Sequence, residues 1–150
     1  MAVTIRILGE RDPVQLEALS TLFGEAFEEP DTYHSARPGK PYLRKLLQNK
    51  MFVALVALQE ERVVGGLVAY ELPKFEQQRS EYYIYDLAVA EGFRRIGVAT
   101  ALIRELQRIA AARGVHVIFV QADYGDEPAV ALYTKLGVRL DVMHFDIAVE

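Results

Sequence analysis

Tyr82 to Val89 reads as a β-strand that is apolar on both of its period-2 faces, with a single exception at Asp86. A strand of that kind lies inside a sheet covered on both sides, so the chain must supply helices to each face of its sheet. The segment runs on through Glu91-Gly92-Phe93-Arg94-Arg95-Ile96 into a helix from about Gly97 to Arg113. Val98, Leu102, Leu106 and Ile109 form its apolar stripe, and Gly114 follows as a natural stop.

The flanking segments fill in the layers. Val3 to Leu8 alternates as a half-buried strand does, and Asp12-Pro13-Val14-Gln15 offers an N-cap, a first-turn proline and a capping-box Gln. Leu16, Leu19, Phe23 and Ala26 then predict an amphipathic helix over residues 13 to about 27. Glu28 to Lys40 reads as a loop, Pro41 to Gln48 as a short helix, and the runs Met51–Gln59 and Arg62–Leu72 as an antiparallel hairpin about Glu60-Glu61. Beyond Gly114, Val115 to Gln121 reads as a strand, Ala122 to Glu127 as a loop, Pro128 to Leu136 as a helix ending at Gly137, and Val138 to Val149 as one or two closing strands. The expected order is β-α-α-β-β-β-α-β-α-β. It describes an α+β domain, layered α/β/α, with a mixed, mostly antiparallel sheet and helices on both faces. The sequence has no internal repeat and no linker rich in Gly, Pro or Ser, so residues 1–150 read as one domain.

Composition removes several chemistries. The absence of Cys excludes disulfides, a thiol nucleophile, Fe–S clusters and Cys-ligated zinc, and fits a cytoplasmic setting. His34, His116 and His144 share no metal-ligand spacing, so no metal is expected. The longest apolar run, Met51 to Leu58, is far short of the ~20 residues that span a bilayer, and the N-terminus lacks a signal pattern. The chain is expected to be soluble, unprocessed and without a membrane partner. With 17 Lys+Arg against 21 Asp+Glu, a net charge of −4 argues against nucleic acid and toward cationic partners.

The strand–loop–helix segment is where ligand chemistry is expected. Backbone amides and the positive helix end converge there, Gly97 and Ala99 leave room for a phosphate, and Arg94 and Arg95 add charge. The bland alternative is a turn eased by Gly97 beside two solvated arginines. No P-loop ending and no Gly-x-Gly-x-x-Gly follows any strand. Asp86 needs a partner, because burying a lone carboxylate is costly. Either a loop hydrogen-bonds it, or it faces a cleft and takes the proton of a bound ammonium group, and the second reading fits better. Two acidic clusters, Glu28, Glu29 and Asp31 and then Asp123, Asp126 and Glu127, fall in segments that the strand order can bring to one cleft rim. Together they would hold a polycation, with Asp146 adding to them if it points inward; alternatively Asp126 or Glu127 caps the helix that Pro128 begins. On the residues alone Tyr133 belongs to the core. Tyr82, Tyr83 and Tyr85 pack the sheet, with an acceptor-pocket role for the Tyr83/Tyr85 face as the lesser option.

Ile84-Tyr85-Asp86-Leu87-Ala88-Val89, followed by Phe93-Arg94-Arg95-Ile96-Gly97-Val98-Ala99, resembles the fourth strand and pyrophosphate loop of the GNAT superfamily of acetyl-CoA-dependent N-acetyltransferases. Ala129-Val130-Ala131-Leu132-Tyr133-Thr134-Lys135-Leu136-Gly137 resembles that superfamily's C-terminal helix. Gln121 to Pro128, with Phe27-Glu28-Glu29-Pro30-Asp31-Thr32-Tyr33 upstream, resembles the type I aminoglycoside 3-N-acetyltransferases. Glu127-Pro128 stands where many members place an Asn, which removes the coenzyme contact assigned to that Asn.

The resemblance implies acetyl-CoA as the donor and direct transfer to an amine, N3 of the deoxystreptamine ring, of an aminoglycoside antibiotic, conferring resistance. It implies that Leu87, Ala88 and Val89 hold the pantetheine arm through their backbone, that Arg94, Arg95, Ile96, Gly97, Val98 and Ala99 bind the pyrophosphate, and that Thr100 assists. Asp86 would handle the amine proton, and the Tyr133 hydroxyl would hydrogen-bond the coenzyme sulfur and protonate the leaving thiolate, while Tyr33 and the acidic residues hold the remaining ammonium groups. A homodimer is also implied. The alternatives are a polyamine or protein N-acetyltransferase of the same fold, or a catalytically silent CoA-binding sensor.

Overall fold

Five strands form one sheet in the order β1-β2-β3-β4-β5: β1 (Thr4–Ile7), β2 (Phe52–Gln59), β3 (Arg62–Pro73), β4 (Ser80–Val89) and β5 (Val115–Val120). The first three neighbouring pairs are antiparallel and β4/β5 is parallel. A parallel pair needs a crossover, and the amphipathic α4 (Val98–Arg113) provides it. The computed structural model describes residues 2–150.

Helices cover both faces, as the doubly apolar β4 requires. On one face α4 places Val98, Leu102, Ile103, Leu106 and Ala110 against Val53, Leu55, Leu67, Tyr82, Ile84 and Val89. On the other, α1 (Pro13–Ala26) and α3 (Lys40–Gln48) place Leu16, Leu19, Leu22, Phe23 and Leu43 against Phe52, Ala54, Val56, Val68 and Ala88. α1 approaches the sheet closely where β3 has no side chain. A Cβ on Gly66 would lie 2.6 Å from the Leu55 carbonyl oxygen and also strike Leu19.

Three expectations need correction. The segment Glu28–Lys40 is not all loop: Pro30 starts a single helical turn and a half, α2 (Pro30–His34). Asp12 precedes α1 but makes no capping box; its carboxylate instead accepts from the Gly9 amide (2.8 Å) and from Arg6 (3.2 Å), tying the end of β1 to the helix entry. The closing strands are absent from the sheet. After α5 (Glu127–Leu136), residues 137–150 carry no regular structure and β5 remains the sheet's edge.

Gly66→Ala is expected to destabilise the protein by about 1–3 kcal/mol, since Leu55 O is backbone at the centre of the sheet and cannot yield. Gly92→Ala, where a Cβ meets open space, serves as the neutral control in urea unfolding.

Candidate active site

β4 and β5 stay paired only from Ser80/Val115 to Ile84/Val120, whereas β4 continues to Val89. Beyond Ile84 the β5-facing backbone of β4 is therefore free of a neighbouring strand. The departure coincides with a bulge. Val68 of β3 pairs with Asp86 and Ala69 with Ile84, leaving Tyr85 as an extra residue. Tyr82 and Ile84 pack under α4, yet the extra residue turns Asp86 and Ala88 to the opposite face, where α1 and α2 lie.

Asp86 meets Tyr33 there. The Tyr33 hydroxyl, brought over by α2, donates to Asp86 Oδ1 at 3.1 Å. Tyr33 is held by Phe23 and Phe27, its ring centroid 6.1 and 5.9 Å from theirs. Burial pushes the Asp86 pKa above the usual carboxylate value; the Tyr33 hydrogen bond opposes this and the charge of Glu29 reinforces it. Burial and the charge of Asp86 raise the Tyr33 pKa as well, so the phenol stays protonated and donates. A cavity of about 150 Å³ opens beside the pair, lined by Leu19, Phe23, Phe52, Val68 and Tyr70 among others.

At the far end of β4 the chain makes a 3₁₀ turn, Glu91–Phe93, and enters α4. Arg94 Nε donates to the Val89 carbonyl oxygen (2.8 Å), fastening the loop to the strand end. Arg95 (φ 64°) and Gly97 (φ 88°) both take left-handed conformations, a geometry that suits glycine and strains arginine. No side chain caps α4, so the amides of Val98, Ala99 and Thr100 at its start remain available to an anion. Ile96 is exposed on the same loop. Free strand backbone along Leu87–Val89, followed by an uncapped helix end, fits an elongated amide-bearing ligand that terminates in phosphates. Among the described residues no group of His, Asp and Glu is placed to hold a metal ion.

Tyr133 lies on α5 with Leu132 and Leu136, packed against the α4-side core. Burial, with a smaller contribution from Asp126, pushes its pKa up to about 12. Asp126 also accepts from the Ala129 amide (3.4 Å) and so caps α5. Each acidic cluster thus reaches one candidate catalytic side chain electrostatically: Glu29 acts on Asp86 and Asp126 on Tyr133. Glu28, Asp31, Asp123 and Glu127 are not bound to either; Asp31 instead accepts Ser35 through its carbonyl, and all four are exposed. Asp146 is 2.8 Å from His144 on the exposed tail and does not point into the cleft.

Sequence reasoning named the Tyr83/Tyr85 face only as a lesser option and missed the aromatic row to which it belongs. Phe52–Tyr70 (5.5 Å), Tyr70–Tyr85 (5.9 Å), Tyr85–Tyr83 (5.5 Å) and Tyr83–Phe119 (4.6 Å, stacked) run across β2 to β5 on the Asp86 face. Tyr83 further donates to Gln121 (2.9 Å). Cross-strand register creates the row, placing Tyr70 opposite Tyr83 and Tyr83 beside Phe119. The visible signal was an aromatic at the end of each run. Arg37, bonded to Thr21 Oγ1 (2.8 Å) beside the cavity, gave no signal at all.

Known structures share this arrangement of elements. The chain superposes on an aminoglycoside acetyltransferase, HMB0005, from an uncultured soil metagenomic sample with a TM-score of 0.97 and 55% identity over 100% of both chains. On the aminoglycoside acetyltransferase meta-AAC0020, from an uncultured soil metagenomic sample in complex with sisomicin, the TM-score is 0.92 at 31% identity, covering 99% of this chain and 97% of that one. An N-alpha-acetyltransferase of Sulfurisphaera tokodaii is 26% identical over 88 residues, 51% of this chain, and the match spans about half (53%) of that curated relative. Residues 16–138, which hold the parted strands, the loop into α4 and Tyr133, match the model of the acetyltransferase (GNAT) family, and the chain belongs to that family.

Proposed function

We propose that the protein is an aminoglycoside N-acetyltransferase in which N3 of the deoxystreptamine ring attacks the thioester carbonyl of acetyl-CoA directly, taking the acetyl group and releasing the coenzyme thiol, and which so confers antibiotic resistance. The observation that carries the proposal is the half-buried Asp86, oriented by Tyr33 where β4 leaves β5. The 55% identity to an aminoglycoside acetyltransferase supports the acceptor class. The N3 assignment rests on the resemblance of Phe27–Tyr33 and Gln121–Pro128 to the type I enzymes.

The residues divide the work by position. Leu87–Val89 and the start of α4, with Arg94 and Arg95, would hold acetyl-CoA, which supplies an activated thioester. An ammonium group cannot attack until it loses a proton. A carboxylate with a raised pKa attracts the cation and accepts that proton more readily than an exposed Asp. Glu29 adds negative potential beside it, and the row Tyr70, Tyr85, Tyr83 and Phe119 offers flat apolar faces for the sugar rings. The Tyr133 hydroxyl, with a pKa near 12, lies well above an ordinary thiol at about 8.5. Its role is a hydrogen bond to the departing sulfur, since complete proton transfer from such a phenol runs uphill.

A protein or polyamine acceptor is the second reading, favoured by the likeness to an N-alpha-acetyltransferase. Thiol release from acetyl-CoA, followed in parallel with gentamicin-type aminoglycosides, spermidine and a peptide amine, separates the possibilities. Turnover with the aminoglycosides and an N3-acetyl product by NMR are expected. Turnover with the peptide or spermidine alone would refute the drug acceptor, and coenzyme binding without turnover would refute the enzyme.

Two substitutions report on the chemistry. Tyr133→Phe removes a hydrogen-bond donor to the developing thiolate charge and is expected to lower kcat about 10²-fold with little change in coenzyme affinity, measured by steady-state kinetics and calorimetry. Tyr33→Phe removes the bond that stabilises the Asp86 carboxylate. The Asp86 pKa therefore rises further, and the acidic limb of the kcat/KM profile moves to higher pH. Stability has the opposite sign. A raised folded-state pKa favours folding at low pH, and this advantage disappears as pH rises through that pKa, leaving a penalty at neutral pH. Asp86→Asn should accordingly be at least as stable as the parent at pH 7 in urea unfolding while losing activity.

A further inference from the structure

α2 carries the residue that orients Asp86, yet little of it is packed. It is five residues long and none of them is buried. It is seated on one side of α1, formed by Ser20, Phe23 and Gly24 and continued by Phe27 at the helix C-cap, a helical i, i+3, i+4, i+7 spacing. The Ser20 hydroxyl donates to the Tyr33 carbonyl oxygen at 3.2 Å, taking up an acceptor that so short a helix leaves free. Phe23 and Phe27 stack on each other at 5.6 Å and brace the Tyr33 ring. The Gly24 carbonyl accepts the Glu29 amide at 3.0 Å, which leads the chain straight from α1 into α2.

Gly24 has no backbone reason to be glycine. It is buried inside α1, without the positive φ of Gly97 or Gly114, where glycine is less stable than alanine. α2 supplies the reason. A Cβ on Gly24 would lie 2.6 Å from His34 Nε2, 3.1 Å from His34 Cε1 and 3.2 Å from Tyr33 Cβ. His34 Nε2 is itself buried and has no hydrogen-bond partner among the described residues, so contact alone holds that ring in the space Gly24 leaves.

We propose that Ser20 and Gly24 are positioning residues for the reaction, fixing α2 against α1 at the separation that lets the Tyr33 hydroxyl reach Asp86. That bond has no slack. It is 3.1 Å long, whereas O–H···O bonds extend to about 3.0 Å, so withdrawal of α2 by a few tenths of an ångström breaks it. Asp86 is faced by Glu29 and Tyr33 from the α2 side, Tyr70 from β3 and Tyr83 from its own strand, with Glu17 of α1 and Arg37 across the cavity. Arg37 is tethered to α1 through Thr21, so Glu29 and Tyr33 are the two that move with α2. Losing the Tyr33 bond raises the Asp86 pKa and distance from Glu29 lowers it; the bond is the larger influence, and the net shift is upward. The link to turnover rests on Asp86 as the acceptor of the amine proton.

Carboxyl carbon NMR, with Asp86→Asn to assign the signal, follows the Asp86 titration without any substrate. Gly24→Ala and Ser20→Ala are each expected to move it to higher pH, by no more than Tyr33→Phe does, and to move the acidic limb of kcat/KM with it. Combined with Tyr33→Phe, neither should add a further upward shift, because the hydroxyl through which they act is gone. Adding His34→Ala to Gly24→Ala removes the ring atoms that the new methyl meets and should bring the titration back toward the parent's, and Ser20→Thr should keep the parent's. Lost stability alone lowers activity at every pH and leaves the midpoint in place. An unmoved titration in either single variant would overturn the assignment of that residue, and an equal shift in the Tyr33→Phe background would overturn the proposal. A titration that moves while the kcat/KM limb stays would uphold the positioning role and refute Asp86 as the base.

Discussion

One surplus residue in β4 determines where the Asp86 carboxylate points. Without Tyr85 as a bulge, Asp86 would keep the phase of Tyr82 and Ile84 and lie in the hydrocarbon beneath α4. A lone carboxylate there has no partner and would be neutralised or expelled. The bulge shifts the phase by one, and Asp86 emerges on the face that α2 can reach with Tyr33. The same local twist accompanies the loss of pairing with β5, whose last paired residue is Val120. The position of Asp86 and the free strand backbone therefore meet at a single irregularity.

The net charge of −4 conceals two separate local fields. Arg94 and Arg95 stand at the amide-rich start of α4, while Glu29 and Asp126 bias Asp86 and Tyr133 toward their protonated forms. Such separation is useful only where water is partly displaced, because exposed pairs contribute little. Burial is the first cause of both shifts, and the neighbouring acids add to it.

Elements defined by strong local periodicity were legible in the sequence: α1, α4, the hairpin and β4, and with them the layered α+β fold. The loop into α4 was legible because glycine spacing and arginines encode it directly. The bulge was not, since β4 is apolar on both faces and its phase leaves no mark in the pattern. The short α2 was hidden for a related reason: none of its residues is buried, so it has no apolar stripe to read. Its role comes from Tyr33 reaching Asp86 across 53 residues of sequence, a contact that only tertiary structure creates. The aromatic row depends likewise on register between strands. Val138–Val149 shows the reverse case, a clear strand pattern that joins no sheet.

That last segment has a consequence for solubility. Its exposed apolar side chains and the open edge of β5 are both templates for indiscriminate pairing with other strands. The Arg139–Asp141 pair, and Asp146 beside His144, place polar groups between those apolar residues. They act as gatekeepers, making stacking with unrelated strands less favourable.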